Sequence, residues 1–185
     1  MASAEALTDA QLVADVLAGD QAQYRWLVQR HQRAVFNAAY RLLGNQEEAA
    51  DITQDAFIRA YQALDSFQRD KPMTPWLCRI AINLSLNRLK HRRPTVSLDD
   101  DLNTFEIADA STEPQAQLLR VEQQRRVRWA VLALPPDQRA IIELRHFQGL
   151  SYDEIAAQME LSLASVKSRL FRARKKLRQI LDENP

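Results

Sequence analysis

The stretch 165–178 holds seven basic residues and no acid. Lys167, Arg169, Arg172, Arg174, Lys175, Lys176 and Arg178 are interleaved with Ser165, Ser168 and Phe171. At about 100° per residue, Val166, Leu170, Ala173, Leu177 and Ile180 align in one narrow apolar stripe, and the cations and serines cover the rest. Solvated helix faces usually mix signs, so an all-cation face points to an anionic partner. Guanidinium and ammonium groups neutralise phosphates, and arginines and serines bond base edges in a major groove. Phe171 falls inside the basic face. It reads either as an apolar contact to DNA, such as a thymine methyl, or as a ring packed on a neighbouring helix.

Two further stripes carry different chemistry. Trp76, Arg79, Asn83, Asn87 and Lys90 share a narrow face of one predicted helix, with Leu77, Cys78, Ala81, Ile82, Leu84, Ser85 and Leu89 opposite. An aromatic ring beside amides and cations suits unstacked single-stranded bases. Trp76 read alone is better explained as folded back into the core near the helix start. On another predicted helix, Glu47, Glu48, Asp51, Gln54, Asp55 and Arg59 form a polar arc that includes Ile58. Asp51 and Asp55 stand one turn apart, but no third ligand or base accompanies them, so the sequence gives them no metal or acid–base role. An isoleucine amid carboxylates reads as a protein-binding patch.

Several function classes are excluded by what is scarce. The 185 residues contain three glycines, Gly19, Gly44 and Gly149, from which no Gly-rich phosphate loop can be built. Cys78 is the single cysteine, which excludes a disulfide framework and a Cys-clustered metal site. His31, His91 and His146 lie far apart in sequence. No metal, cofactor or catalytic constellation is expected. No apolar run approaches the length of a membrane span and no signal peptide is evident, so a cytoplasmic protein without membrane insertion is expected.

The elements that position these stripes read as helices. Thr8 with Gln11 and Ser151 with Glu154 have the spacing of capping boxes. Helices are predicted near 9–18, from a cap at Asp20 to Gly44, from a cap at Asn45 over about 46–65, and from Thr74–Pro75 to Pro94. Others follow near 116–133, from a cap at Asp137 to a point before Gly149, after Ser151, and from after Ser162 to about Leu181. No period-two stretch supports a sheet. The formal net charge of +1 hides a segregation. Residues 1–95 carry 12 basic and 10 acidic groups, and residues 116–185 carry 13 and 8. Residues 96–115 carry six acids and no Lys or Arg, together with Ser, Thr, Asn and Pro. The expected fold is therefore all-α, with two small helical domains, 1–94 and 116–185, joined by a flexible acidic linker at 95–115. The second contains a helix-turn-helix, with Ile155, Ala156, Met159, Leu161, Val166 and Leu170 as its core. Glu160 stands where many such turns have glycine.

The blocks EEAADITQDAFIRAYQALDSF, TPWLCRIAINLSLNRLKHRRP and LPPDQRAIIELRHFQGLSYDEIAAQMELSLASVKSRLFRARKKLRQ together resemble one family. The chain is similar, over essentially 8–181, to the extracytoplasmic-function sigma factors of bacterial RNA polymerase. The resemblance implies a non-enzymatic subunit that directs core polymerase to particular promoters. It implies that Asp51, Gln54, Asp55, Ile58 and Arg59 dock on the clamp of the β′ subunit. It assigns Phe67, Trp76, Arg79, Asn83, Asn87 and Lys90 to the minus-ten element. It assigns Ser165, Lys167, Ser168, Arg169, Phe171, Arg172, Arg174 and Lys175 to the minus-thirty-five element. The linker matches the segment that threads toward the polymerase active-site and RNA-exit region, where acidic residues can mimic nucleic acid, and the β subunit joins the β′ clamp among the implied contacts. Core RNA polymerase, promoter DNA and an anti-sigma factor, often membrane-bound, are the implied partners. A stand-alone helix-turn-helix regulator is the alternative, but it leaves the acidic patch and the Trp76 stripe without a purpose.

Overall fold

The computed structural model describes residues 7–91 and 114–183. Among these residues every regular element is helical. The expected linker lies outside them, apart from its last two residues, which open a helix.

Helix α1, Asp9–Leu17, begins with the Thr8 capping box. Asp20 does not cap the next helix. Its carboxylate accepts a 2.8 Å bond from the Gln23 side chain, and a 3₁₀ turn over Gln21–Gln23 leads into α2, Tyr24–Leu43. The helix stops at Gly44, whose φ of 71° is left-handed, the conformation that glycine adopts without a Cβ penalty. Asn45 caps α3, Gln46–Gln62, by accepting the Glu48 amide at 2.8 Å. The end of the predicted 46–65 helix is a separate 3₁₀ turn, Leu64–Ser66.

Helix α4, Met73–His91, starts one residue before the expected Thr74 cap. The Thr74 hydroxyl instead meets His31 Nδ1 at 3.0 Å, while His31 Nε2 meets Asp9 at 2.9 Å. One nearly buried imidazole thus ties α1, α2 and the start of α4 together. The Tyr24 hydroxyl donates to the Phe57 carbonyl at 2.7 Å, and burial followed by the neighbouring Tyr61 raises its pKa. Around these ties Leu12, Val13, Leu27, Val35, Ile52, Phe57, Phe67 and Leu77 form a continuous core.

The second half begins with α5, Pro114–Leu132. In α6, Pro136–Ile142, Pro136 fills the first helical position, where its missing N–H leaves nothing unsatisfied. Asp137, expected as the cap, sits inside the first turn. A single π-type turn, Glu143–Phe147, extends this helix. Then follow α7, Tyr152–Met159, opened by the Ser151–Glu154 capping box, and α8, Leu163–Glu183. Hydrogen bonds from the Ser151 amide and hydroxyl hold the Glu154 carboxyl below the usual range. Leu134, Ile141, Leu144, Ile155, Val166 and Leu170 form a second core, which also takes in Leu42 of α2 and Ile82 of α4. The two halves therefore share apolar surface.

Glu160 ends α7 at φ 53° and ψ 44° and is the one non-glycine residue with positive φ among those described. Its amide donates to the Ala156 carbonyl, as a helix-terminating left-handed residue should. A Cβ in this conformation is penalised by roughly 1–2 kcal/mol, part of which glycine gives back in chain entropy. Glu160→Gly should stabilise the chain by about 0.5–1 kcal/mol, and Ser151→Ala should destabilise it by about 1 kcal/mol. Urea denaturation followed by circular dichroism reads both signs.

Candidate functional site

The three polar stripes fall on three helices whose opposite sides are buried. On α3, Ala49, Ile52, Ala56, Phe57 and Ala60 face the core. Asp51, Gln54, Asp55, Ile58 and Arg59 all face outward, and Ile58 is 56% exposed. A large apolar side chain left wet on an otherwise well-packed helix is available to a protein partner.

On α4, Leu77, Cys78, Ala81, Ile82, Leu84 and Ser85 are buried, and Arg79, Asn83, Asn87 and Lys90 are exposed. Trp76 is half-buried. Its ring centroid lies 5.1 Å from that of Phe67, and the planes are tilted by 49°. Phe67 is only 6% exposed and belongs to the first core. Its ring backs Trp76 instead of lying open beside it. Trp76 therefore combines both readings of the sequence, with one side packed on the domain and the other at the edge of the amide–cation stripe.

On α8, Val166, Leu170 and Ala173 are buried, while Lys167, Ser168, Phe171, Arg172, Arg174 and Lys175 are exposed. Phe171 is 70% exposed, so no neighbouring helix covers its ring. Ser162 caps the helix by accepting the Ser165 amide at 3.2 Å, and the two hydroxyls lie 2.8 Å apart. Ser165 is consequently half-buried at the entrance of the helix. Arg169 pairs with Asp137 at 3.2 Å. Both partners are partly exposed, and such a pair contributes ~0–1 kcal/mol, so little energy holds it closed. Arg174 lies 3.5 Å from His146, whose pKa is lowered by burial, then by Arg174 and Arg145.

Among the described residues no group of three or more His, Cys, Asp or Glu could hold a metal ion, and no helix is long and apolar enough to cross a membrane. Asp51 and Asp55 stand as an exposed pair only.

Two family models match the chain, Sigma-70 region 2 over residues 27–95 and Sigma-70 region 4 over residues 124–177. The RNA polymerase sigma-H factor of Pseudomonas aeruginosa is 38% identical over 180 residues, covering 94% of this chain and 93% of that protein. The ECF RNA polymerase sigma-E factor of Escherichia coli K12 is 41% identical over 177 residues, covering 92% of each. The chain belongs to the extracytoplasmic-function sigma factors. Among solved structures, CnrH in complex with the cytosolic domain of CnrY superposes with a TM-score of 0.64 at 30% identity, covering 96% of this chain and 99% of that one. The Bartonella quintana sigma factor RpoE, solved with the anti-sigma factor NepR, shares the fold at a TM-score of 0.63 and 21% identity, covering 88% of this chain and 98% of that one. The region 2 match spans α3, α4 and most of α2, and the region 4 match runs from within α5 into α8. The α3 and α4 stripes lie within the region 2 match, and the α8 stripe lies within the region 4 match except Arg178, one residue past its end.

Two features of this sigma factor are invisible to local pattern. One is the Asp9–His31–Thr74 chain. The other is Glu143, whose carboxylate is 1% exposed and which pairs with Arg41 from the other half of the molecule. A buried glutamate within an Ile-Ile-Glu-Leu run is the one sequence signal that could have flagged it.

The burial contrast separates packing residues from contact residues. Phe67→Ala should destabilise region 2 by about 3–5 kcal/mol, as truncation of a buried phenylalanine does. Ile58→Ser should stay within about 0.5 kcal/mol of the parent. Equilibrium urea unfolding of the two variants gives the comparison directly.

Proposed function

We propose that this sigma factor divides its work among the three stripes. The α3 face of Asp51, Gln54, Asp55, Ile58 and Arg59 docks on the β′ clamp of core polymerase. Trp76, Arg79, Asn83, Asn87 and Lys90 of α4 capture bases of the opened minus-ten element, and Phe67 supports Trp76 from behind. The α8 face of Ser165, Lys167, Ser168, Arg169, Phe171, Arg172, Arg174 and Lys175 enters the major groove at the minus-thirty-five element. The units are residues 1–94 and 116–185, with 95–115 as the acidic connection that threads toward the polymerase active-site and RNA-exit region. The chain carries no catalysis of its own, and it acts in the cytoplasm. An anti-sigma factor restrains it. CnrH, 30% identical, is solved with the cytosolic domain of CnrY, and a cytosolic domain is what a membrane-bound inhibitor would offer.

The observation that carries this reading is that three chemically distinct faces stay exposed on helices otherwise committed to core. An acidic face with Ile58 suits protein. An amide and cation face beside a half-open Trp suits unpaired bases. An all-cation face with an exposed Phe suits duplex DNA.

Asp55→Arg or Ile58→Asp should weaken core-polymerase binding at least tenfold at unchanged helix content, and unchanged affinity in both would refute the docking face. Asn83→Ala and Asn87→Ala should lower run-off transcription from a duplex promoter while core binding persists. A pre-melted promoter should partly rescue Trp76→Ala.

On α8, early residues enter the groove and later ones stay near phosphates. Arg172→Ala in the holoenzyme should change the ranking of single-base variants of the minus-thirty-five element, at ~1–3 kcal/mol for the base pair it reads. Arg178→Ala should weaken all variants alike and reduce the salt slope by about one unit. Intact rankings in both would show that the reading residues lie elsewhere.

A further inference from the structure

Between α3 and α4 the chain makes an exposed excursion. Residues 68–72 are all exposed, between the buried Phe67 and the buried Met73. Within it the Lys71 amide donates to the Gln68 carbonyl at 3.0 Å. The ring of Phe67 at one end meets the ring of Trp76 just past the other, at 5.1 Å between centroids. A contact tilted by 49° keeps two rings together but leaves the direction of the pair open.

That direction is set from α1 and α2. Thr74 stands two residues before Trp76 in the first turn of α4, and its hydroxyl meets His31 Nδ1 at 3.0 Å. His31 projects from α2 and is 8% exposed. Its Nε2 meets Asp9 at 2.9 Å, and Arg30 donates to the second Asp9 oxygen at 3.1 Å. Asp9 sits in the first turn of α1, which is anchored by the fully buried Leu12 and Val13. An ionised carboxylate only accepts, so Nε2 carries a proton. The Thr74 hydroxyl donates to a bare Nδ1 and accepts from a protonated one, so the tie survives in either charge state. Helix α1 also packs on the Leu64–Ser66 turn that leads into the excursion. It thus holds the segment before the excursion directly and the segment after it through His31.

An apolar side chain at position 31 would fill space between these helices without preferring one rotation of Thr74. A buried polar chain with every member bonded permits one arrangement, because each broken bond leaves a dry polar atom without a partner. Trp76 needs such an arrangement. Asn83 and Asn87 lie about two and three turns further along the same helix, and a base stacked on the indole has to be in register with them. A shift of about 1 Å in a positioned group can cost ~10²-fold.

We propose that His31 is a positioning residue for minus-ten capture: braced by Asp9, it fixes Thr74 and so presents the Trp76 ring in register with Asn83 and Asn87. This role presupposes the α4 stripe as the minus-ten reader, and the two can be tested apart.

Thr74→Val removes the hydroxyl at nearly unchanged shape, and Thr74→Ser keeps it. The chain has three tryptophans, so Trp26→Phe with Trp129→Phe leaves Trp76 as the only one and makes it a reporter of its own seating. In that full chain, Thr74→Val and His31→Leu should each move the Trp76 emission to the red and raise its quenching by acrylamide, at unchanged helix content. Thr74→Ser should match the parent. In holoenzyme with the natural tryptophans, Thr74→Val should lower run-off transcription from a duplex promoter roughly tenfold or more while core binding persists. Asp9→Asn should lower it in the same direction, and Thr74→Ser should retain it. Unchanged Trp76 emission in both Thr74→Val and His31→Leu overturns the positioning role and leaves the minus-ten assignment standing. Displaced emission with full transcription shows that the ring reads no base, which removes the minus-ten role of Trp76 and that of His31 with it. A Thr74→Ser chain that behaves like Thr74→Val overturns the proposal as well.

Discussion

Helix α4 has to be dry on one side and wet on the other, and the arrangement of the molecule follows from that division. Its buried side packs against α2 and α3, with Leu77, Cys78, Ala81 and Leu84 in the first core. Ile82 on the same helix belongs to the second core. One helix therefore serves both halves of the chain while its Arg79, Asn83, Asn87 and Lys90 side chains stay in solvent. A cation or amide moved to the buried side would lose hydrogen bonds to water without gaining partners, at a cost of about 1–3 kcal/mol for a neutral group. That penalty sets the rotation of α4 about its axis and thereby aims its polar stripe.

Where the halves meet, apolar burial and charge do different jobs. Leu42 and Ile82 in contact with Leu134, Ile141 and Leu144 supply attraction, which is insensitive to exact orientation. The Arg41–Glu143 pair supplies orientation. A buried ion pair replaced by apolar groups of similar volume is often neutral or stabilising, whereas removal of one partner is strongly destabilising. The contact therefore selects one seating over others without making it very tight. A wholly apolar interface of the same size would hold the halves together in several seatings and would release them less readily.

The helices were legible because their signals are local. The Thr8 and Ser151 capping boxes, the Asn45 cap and the left-handed Gly44 act within a few residues, and each is where the sequence puts it. The outward faces of α3 and α8 followed from periodicity, since a 3.6-residue repeat fixes which residues share a side. What escaped was long-range pairing. Arg41 and Glu143 are 102 residues apart, and nothing near either one marks the other as its partner. His31 finds Asp9 and Thr74 for the same reason, across 22 and 43 residues. Phe67 was assigned to the minus-ten set by resemblance, and its position after a 3₁₀ turn, where periodicity says nothing, hid its burial. Glu160 shows the limit of residue preference at turns. The left-handed site is present although the preferred glycine is not, because the bonds from its own amide and that of Leu161 to Ala156 close the turn whatever the side chain.

The exposure of both proposed reading faces bears on how specificity would arise. Neither face is masked, so each is accessible by itself. A molecule whose halves share a core offers the two faces at one separation. Joining two weak contacts through a linker of adequate reach raises overall affinity by ~10²–10⁴ without any new interaction, and the gain vanishes when geometry forbids both at once. The half of the chain from 116 onward carries 13 basic and 8 acidic groups, a modest charge that favours brief, salt-sensitive encounters over tight binding. The two proposed reading faces, joined through the core around Leu42 and Ile82, gain that bivalent advantage only where their separation matches that of the two targets.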